Sequence, residues 1–276
     1  MPRKGLLTAL GVAALPLAAG ALGLRVRPAP FPPYPEAEPA LGTVPLPEGL
    51  PAPVARFYRR LYGERVPVIT SAVVTGRAKL RLGGLVFPAR FRFTHAVGRG
   101  YRHDLEVTLF GRPVVRLRER YVDGTSRLEL PFGVVEGPKV DQAANLGGWA
   151  EAVWFPALFI TDPRVRWEAV DEATALLVVP FGGLEERFVA RFHPETGLLH
   201  LLEAMRYKGA ADAAKTLWLC EALVWEALAG RTVLTKSALT WFGDGAPWAR
   251  WQVEEVVYNV DVRASLWGER ATRRGR

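Results

Sequence analysis

Cysteine is almost absent from this chain of 276 residues, in which Cys220 stands alone. A single cysteine excludes an internal disulfide bond and any metal cluster that needs several thiolates. Its position far from the N-terminus also excludes a lipid-modified N-terminal cysteine. Asparagine, glutamine and methionine occur only twice each. This shortage of thermolabile side chains indicates a thermophilic source, although a GC-rich genome would favour a similar composition.

Residues that usually carry hydrolytic or metal chemistry are also scarce. None of the four serines lies in a G-x-S-x-G or S-x-x-K motif, and the four histidines form no H-E-x-x-H motif. We therefore predict no catalytic residue, no metal ligand and no cofactor. We expect His95 to be solvent-exposed on a polar strand face. The other three histidines, which we expect to be structural, are His103, His193 and His200.

Positive charge is plentiful, with a net charge of +8 carried by 30 arginines and 6 lysines. The arginines alternate along predicted strands, as at Arg77, Arg81, Arg90 and Arg92, and form no dense helical face. A solvated strand face is therefore the expected origin of the charge, and we predict no nucleic-acid partner. Anionic lipid headgroups are the functional alternative.

The N-terminus contains an uncharged apolar run from Gly5 to Leu24, preceded by Arg3 and Lys4. Twenty such residues are about enough to span a bilayer as a helix. A cleavable signal is the alternative, with its cleavage site at residues 19–21. We interpret residues 1–27 as a membrane anchor or signal segment. The rest of the chain is then expected outside the cytoplasm, although the topology is not fixed by the flanking charges.

Residues 28–53 contain ten prolines in 26 positions. This density favours an extended polyproline II spacer that holds a folded domain away from a membrane, and a disordered terminus is a compatible alternative. We divide the remainder into a folded domain over residues 54–264 and a basic flexible tail over residues 265–276.

The folded part reads as a short helix followed by many strands. Helical spacing of apolar residues over 53–62 predicts the helix, and alternation of apolar and polar residues predicts the strands. We expect residues 210–219 to form a loop or short helix. The predicted strands cover residues 73–82, 88–95, 101–110, 114–122, 126–130, 165–169, 174–179, 186–193, 198–207, 233–241 and 248–262.

One segment, residues 141–159, is apolar on nearly all sides when drawn as a helix. A helix of this kind is enclosed by other structure instead of lying on a surface. The predicted fold class is therefore mainly β (α+β), with a large curved antiparallel sheet or half-barrel wrapped around an enclosed apolar helix.

Glu151 is the only charged residue between Gln142 and Thr161. A carboxylate in such surroundings needs a partner or loses its charge. An ion pair with an arginine of the sheet is one interpretation, with Arg206 preferred over Arg166, Arg187 and Arg191. A polar anchor in a ligand cavity and a catalytic acid are the others.

Nine tryptophans suit either core packing or a cavity for an acyl chain or another long apolar ligand. The predicted ligand-binding residues are Trp149, Glu151, Trp154, Phe155, Arg206 and Tyr207.

The pattern W-x-E-x-x-W-x-P falls on Trp149, Glu151, Trp154 and Pro156, and is followed by Trp167, Asp171 and an Arg206–Tyr207 strand end. With the opening over residues 50–62, this pattern resembles an uncharacterised bacterial family of exported or membrane-anchored proteins. Its members are similar in outline to lipoprotein-localisation-factor carriers, which implies a half-barrel and the handling of a lipid or lipoprotein. The resemblance implies no catalytic residue.

Three functions remain open from the sequence. The first is a membrane-tethered, extracytoplasmic and non-catalytic protein that binds a lipid or other apolar ligand. The second is a structural or interaction module of the cell envelope with a solid core. The third is a hydrolase-like enzyme that uses Glu151. A connected cavity would favour the first, and a second titratable group converging on Glu151 would favour the third.

Overall fold

The computed structural model describes residues 20–268. Most of the predicted anchor or signal, residues 1–19, and most of the predicted basic tail, residues 269–276, lie outside the described residues. Within the described range, no helix combines the length and the apolar character needed to cross a membrane.

The fold begins with a small antiparallel pair, β1 (Thr43–Pro45) and β2 (Arg65–Pro67), which flanks the helix α1 (Ala52–Tyr62). Pro53, Val54, Phe57 and Tyr58 are the buried residues of α1. Their spacing places them on one side, as the sequence predicts, because residues three and four apart share a helix face.

A single antiparallel sheet of thirteen strands forms the body of the protein. Two meanders of hairpins are joined side by side by the pairing of β3 with β15. The first meander contains β3 (Ser71–Leu82), β4 (Leu85–Ala96), β5 (Gly100–Leu109), β6 (Arg112–Val122), β7 (Thr125–Leu130) and β8 (Gly133–Val135). The second contains β9 (Arg166–Ala169), β10 (Thr174–Phe181), β11 (Leu184–Phe192), β12 (Leu199–Arg206), β13 (Thr216–Leu228), β14 (Arg231–Trp241) and β15 (Ala249–Tyr258).

The chain crosses from β8 to β9 through the helical segment of the protein. The helix α2 (Pro138–Glu151) contacts β6 and β7 on one side and β10 and β12 on the other, and the 3-10 turn at Ala152–Trp154 reaches β14. Contacts with both halves of the sheet place this segment inside its curve. The predicted fold, a mainly β half-barrel around an enclosed apolar segment, is confirmed.

The enclosed segment is not one continuous helix, as predicted for residues 141–159. It ends after the 3-10 turn, because Phe155 leaves the helical region and the ring of Pro156 cannot continue the hydrogen-bond pattern. A last short helix, α3 (Leu158–Thr161), follows the break. The hydroxyl groups of Tyr58 and Tyr258 donate hydrogen bonds to the carbonyls of Pro156 and Trp154, at 2.7 and 2.6 Å.

Strand alternation assigns the two faces of the sheet. On the outer face, Arg90 pairs with Glu106, and Glu106 pairs with Arg116 on the next strand, so much of the basic charge is neutralised across strands. On the inner face, Phe91 and Phe93 are buried, and His95 has the same parity. The predicted exposure of His95 is therefore wrong, because the side chain points inward and is 3% exposed.

A further correction concerns β13, since residues 216–219 were expected in a loop or short helix and belong to a 13-residue strand. Its register shifts between Ala222 and Trp225, and this irregularity interrupts the alternation by which a strand is recognised.

The proline-rich segment contains no helix or strand between residues 27 and 42, and it contacts the outer face of the sheet. Arg77 and Arg90 donate hydrogen bonds to the carbonyls of Pro28 and Ala29, and Arg90 lies 4.6 Å from the ring of Phe31. Downstream, Glu38 forms an ion pair with Arg231. We call residues 28–38 the strap.

The C-terminal end of the described chain forms a short helix, α4 (Arg263–Trp267), in which Leu266 is 1% exposed. The predicted domain boundary at residue 264 therefore falls inside a packed element. The division of the chain into anchor, linker, domain and tail stays a prediction.

Candidate functional site

A cavity of about 360 Å³ lies between the inner face of the sheet and the enclosed segment. We call it the inner cavity. Its lining is mostly apolar because the inward positions of β5, β13 and β14 carry large aliphatic and aromatic side chains. The lining includes Phe93, Leu105, Leu117, Leu128, Val153, Trp154, Leu199, Trp218, Leu234, Leu239, Trp241, Trp248 and Trp251.

Polar side chains occupy one wall of the inner cavity. Glu151, on the last turn of α2, accepts a hydrogen bond from Nε2 of His103 on β5, with 2.8 Å between Nε2 and Oε2. The same carboxylate oxygen lies 3.3 Å from Nε2 of His95 on β4. The neighbouring strands and the helix therefore bring three potential ligand or acid–base groups to one point.

The second ring nitrogen of His103 faces another carboxylate. Nδ1 of His103 lies 3.3 Å from Oε2 of Glu119 on β6, and the hydroxyl of Ser126 on β7 donates to Oε1 of Glu119 at 3.2 Å. His103 thus stands between two acidic residues, and its ring is fixed from both sides. We call His95, His103, Glu119 and Glu151 the polar cluster.

Burial and charge move the pKa values of the polar cluster in different directions. Burial alone would lower the pKa of His103, but Glu151 and Glu119 outweigh it and raise that pKa to about 9. Burial and the neighbouring His103 lower the pKa of His95, so this ring is neutral. Burial raises the pKa of Glu151 although His103 opposes the shift. The pKa of Glu119 is lowered because its bonds to His103 outweigh its burial.

Arg206 does not form the ion pair with Glu151 that the sequence suggested. Its Nε donates to the carbonyl of Ala143 at 2.8 Å, and its guanidinium lies 4.5 Å from the centre of the Trp218 ring. Among the described residues, no ion pair within 4.0 Å joins it to Glu151, whose closest basic partner is His103. The guanidinium therefore stays against α2 through this hydrogen bond and also stacks on the indole wall of the cavity, where it gains cation–π attraction.

The family model that matches residues 42–252 is a family of unknown function, DUF6544. The match covers most of the chain. The chain belongs to this family. The uncharacterised family predicted from the motif residues is therefore confirmed. No curated protein matches this DUF6544 chain.

Three solved structures are similar to this DUF6544 protein in outline. A DUF1329 family protein from Desulfovibrio piger shares 13% identity and a TM-score of 0.43, over 74% of this chain and 92% of that one. A putative outer membrane lipoprotein-sorting protein domain from Vibrio parahaemolyticus shares 10% identity and a TM-score of 0.44, over 80% and 94%. A LolA superfamily protein from Nitrosomonas europaea shares 8% identity and a TM-score of 0.46, over 77% and 94%.

The predicted ligand-binding residues of the DUF6544 protein are divided among three places. Glu151, Trp154 and Arg206 line the inner cavity. Trp149 and Phe155 line a second pocket of about 460 Å³ on the other side of the enclosed segment. Tyr207 lines neither, and its backbone N–H donates to the side chain of Gln142. The structure brings together half of the predicted set.

Three members of the polar cluster were missed from the sequence, namely His95, His103 and Glu119. Parity along the strands could have found the histidines, because His95 follows Phe91 and Phe93 on alternate positions, and His103 follows Tyr101. Glu119 could have been found in the same way, because it alternates with outward arginines and shares its face with Leu117 and Tyr121, whereas its approach to His103 depends on the pairing of β5 with β6.

A wider surface depression of about 840 Å³ lies near α4. Its acidic residues are already paired with arginines beside them, Asp162 with Arg164 and Asp261 with Arg263. The inner cavity is smaller, but its wall contains His103, Glu119 and Glu151 of the polar cluster, and it is the better candidate site.

Proposed function

We propose that the protein binds a lipid or another long apolar ligand in the inner cavity without transforming it. The supporting observation is the cavity itself, whose volume of about 360 Å³ is within the range of small-molecule sites and whose walls are aliphatic and indole side chains. Burial of an acyl chain against such walls contributes about 0.8 kcal/mol per methylene group.

Two cations identify the end of the cavity that suits a polar headgroup. Arg206 and Lys208 both line the cavity near Trp241, and Lys208 lies 5.5 Å from the Trp241 ring centre. A carboxylate or phosphate group on the ligand would be attracted to this end. Trp154 and Glu151 would then lie along the ligand, with Trp154 as an apolar contact.

The proposal includes a location. Residues 5–24 would tether the protein to a membrane as an anchor, and the half-barrel would act outside the cytoplasm, where a lipid or a lipoprotein acyl chain is the available ligand. These statements rest on the sequence pattern of the N-terminal segment.

Native mass spectrometry of the purified full chain, followed by solvent extraction, tests the binding proposal. We expect an apolar molecule to copurify in a defined ratio. Ala222→Phe, which fills the cavity from β13, should abolish retention, whereas Ala227→Phe at an exposed position of the same strand should not. Persistent absence of any ligand, with added fatty acids and phospholipids also failing to bind, would favour the structural module with a solid core.

A second candidate is the hydrolase-like enzyme, favoured by the contact of His103 with Glu151 on one side and with Glu119 on the other at the cavity wall. A buried acid beside a histidine can transfer a proton at neutral pH. A panel of ester, amide and glycoside substrates tests this candidate. Turnover that disappears in Glu151→Gln but persists in the exposed control Glu172→Gln would establish it, and absence of turnover would leave the binding function.

A further inference from the structure

The three side chains at the centre of the polar cluster have the composition of a metal site. One ligand atom from each of His95, His103 and Glu151 lies within 4.8 Å of the others. Two imidazoles and one carboxylate form a donor set that binds zinc, ferrous iron and related divalent ions.

The distances of the two histidines from Glu151 are near those of a metal site. Metal–ligand bonds of about 2.0–2.1 Å in a tetrahedral site separate neighbouring ligand atoms by about 3.3 Å. Nε2 of His95 already lies 3.3 Å from Oε2 of Glu151, and Nε2 of His103 lies 2.8 Å from the same oxygen. Separation of His103 from Glu151 by about half an ångström would bring this second distance to the tetrahedral value, and the ligand atoms of the two histidines lie within 4.8 Å of each other.

The ring nitrogen Nε2 of His95 is a buried polar atom that a metal ion would satisfy. Nε2 of His95 is buried and has no hydrogen-bond partner within residues 20–268, because its approach to Glu151 is not aligned for a hydrogen bond. A buried polar nitrogen without a partner carries a desolvation cost that a metal bond would remove.

The residues around the three side chains also fit a metal site. Metal-bound histidines usually present their second ring nitrogen to a carboxylate, which fixes the tautomer and the ring orientation. Glu119 is placed in this way on Nδ1 of His103 and is itself held by Ser126. His103 and Glu151 line the inner cavity, so an ion held by three protein ligands would keep its open position accessible from it.

We propose that His95, His103 and Glu151 bind one divalent transition-metal ion of the zinc or ferrous-iron class, with Glu119 orienting His103. This site goes beyond the proposed binding function and does not depend on it.

Metal titration of the full chain, expressed without a polyhistidine tag and stripped with a chelator, tests the proposal. Calorimetry with Zn²⁺ and the visible absorption of Co²⁺ should both give one ion per chain. His95→Asn and Glu151→Gln should weaken binding by more than about 100-fold, and Glu119→Gln by about 10–100-fold, the usual effect of an outer partner. His200→Asn, at an exposed position of β12, is the matched control and should bind as the parent does.

Two results would overturn the proposal. The first is a folded parent chain, verified by circular dichroism, that binds neither ion in a one-to-one ratio. The second is His95→Asn retaining the parent affinity. Copurified apolar ligand is measured on the same variants. A variant that loses metal and retains lipid would show that the metal site and the lipid-binding function are independent.

Discussion

Glu151 shows how one buried carboxylate is accommodated when no arginine of the described residues forms an ion pair with it. Its side chain is 16% exposed, and its nearest cation is His103, which also serves Glu119. With Arg206 close enough to influence both carboxylates, two acidic groups and two cations occupy the same wall. The two negative and two positive groups balance each other as a set, and His103 is shared between both carboxylates.

Glu151→Gln should destabilise the chelator-treated protein by about 3–5 kcal/mol, because removal of one partner leaves a buried charge uncompensated. Urea unfolding measures the change, with Glu172→Gln at an exposed site as control. His103→Gln combined with Glu151→Gln should cost less than the sum of the single changes. Strict additivity would contradict the coupling between these two residues.

Cys220 faces the inner cavity, and burial raises the pKa of its thiol far above the ordinary value. Each unit of such a shift lowers the thiolate fraction about tenfold near neutral pH, and the thiolate is the reactive form. We therefore expect Cys220 in the folded chain to react with a disulfide reagent at pH 8 far more slowly than in the urea-unfolded chain. Similar rates in both states would show that the cavity is open to water at this point.

At the level of elements, the break in the enclosed segment is stabilised by tyrosines from outside it. Pro156 ends the helical pattern, and the N–H of Leu158, which would continue it to the carbonyl of Trp154, donates to the carbonyl of Phe155 instead. Tyr258 on β15 donates to the Trp154 carbonyl, and Tyr58 on α1 donates to the Pro156 carbonyl, which also accepts from the N–H of Phe159 at 3.1 Å. The break is thus held from two separate elements, which fixes the position of Trp154 on the cavity wall.

Tyr258→Phe should lower the free energy of unfolding by about 1–3 kcal/mol, since the buried Trp154 carbonyl is left without a donor. Tyr58→Phe should have a smaller effect, because the Pro156 carbonyl still accepts a hydrogen bond from the backbone N–H of Phe159 at 3.1 Å. Equilibrium denaturation compares both with Tyr207→Phe, which removes a hydroxyl that makes no hydrogen bond among the described residues. A loss in Tyr207→Phe as large as in Tyr258→Phe would mean that the effect is not specific to the break.

The sequence predicts the elements whose signal is local. α1 and most strands of both meanders follow from helical spacing and from alternation, and the enclosed segment follows from its apolar surface. β13 and the inward direction of His95 were missed, one because the register shifts near Ala222 and the other because strand parity was misassigned. The partner of Glu151 could not be predicted, because it is set by which strands lie opposite α2.

At the scale of the whole molecule, the strap binds the outer face while the enclosed segment fills the inner face. Phe31 lies 4.6 Å from the guanidinium of Arg90 and 5.4 Å from that of Arg92. Tyr34 and Glu38 continue the contacts toward β15 and the segment that follows it. A free spacer over the same residues would make none of these contacts.

Phe31→Ala removes two cation–π contacts, each worth about 0.5–1 kcal/mol at an exposed site. We expect the free energy of unfolding to fall by about 1–2 kcal/mol and proteolysis of the strap to become faster. Phe132→Ala, at a site that is 85% exposed, is the matched control. Unchanged stability and unchanged proteolysis would show that residues 28–38 are a loose spacer whose contacts do not stabilise the fold.

The contact of Gly23 with the turn between β5 and β6 has a consequence for orientation. The backbone N–H of Phe110 donates to the carbonyl of Gly23 at 3.0 Å, and a methyl group at Gly23 would come within 2.7 Å of the Phe110 ring. If residues 5–24 cross a bilayer, the end of this segment at Gly23 is in contact with the half-barrel. The half-barrel would then stand at one height and one tilt above the lipid, with the exposed ring of Phe110 at the headgroup level.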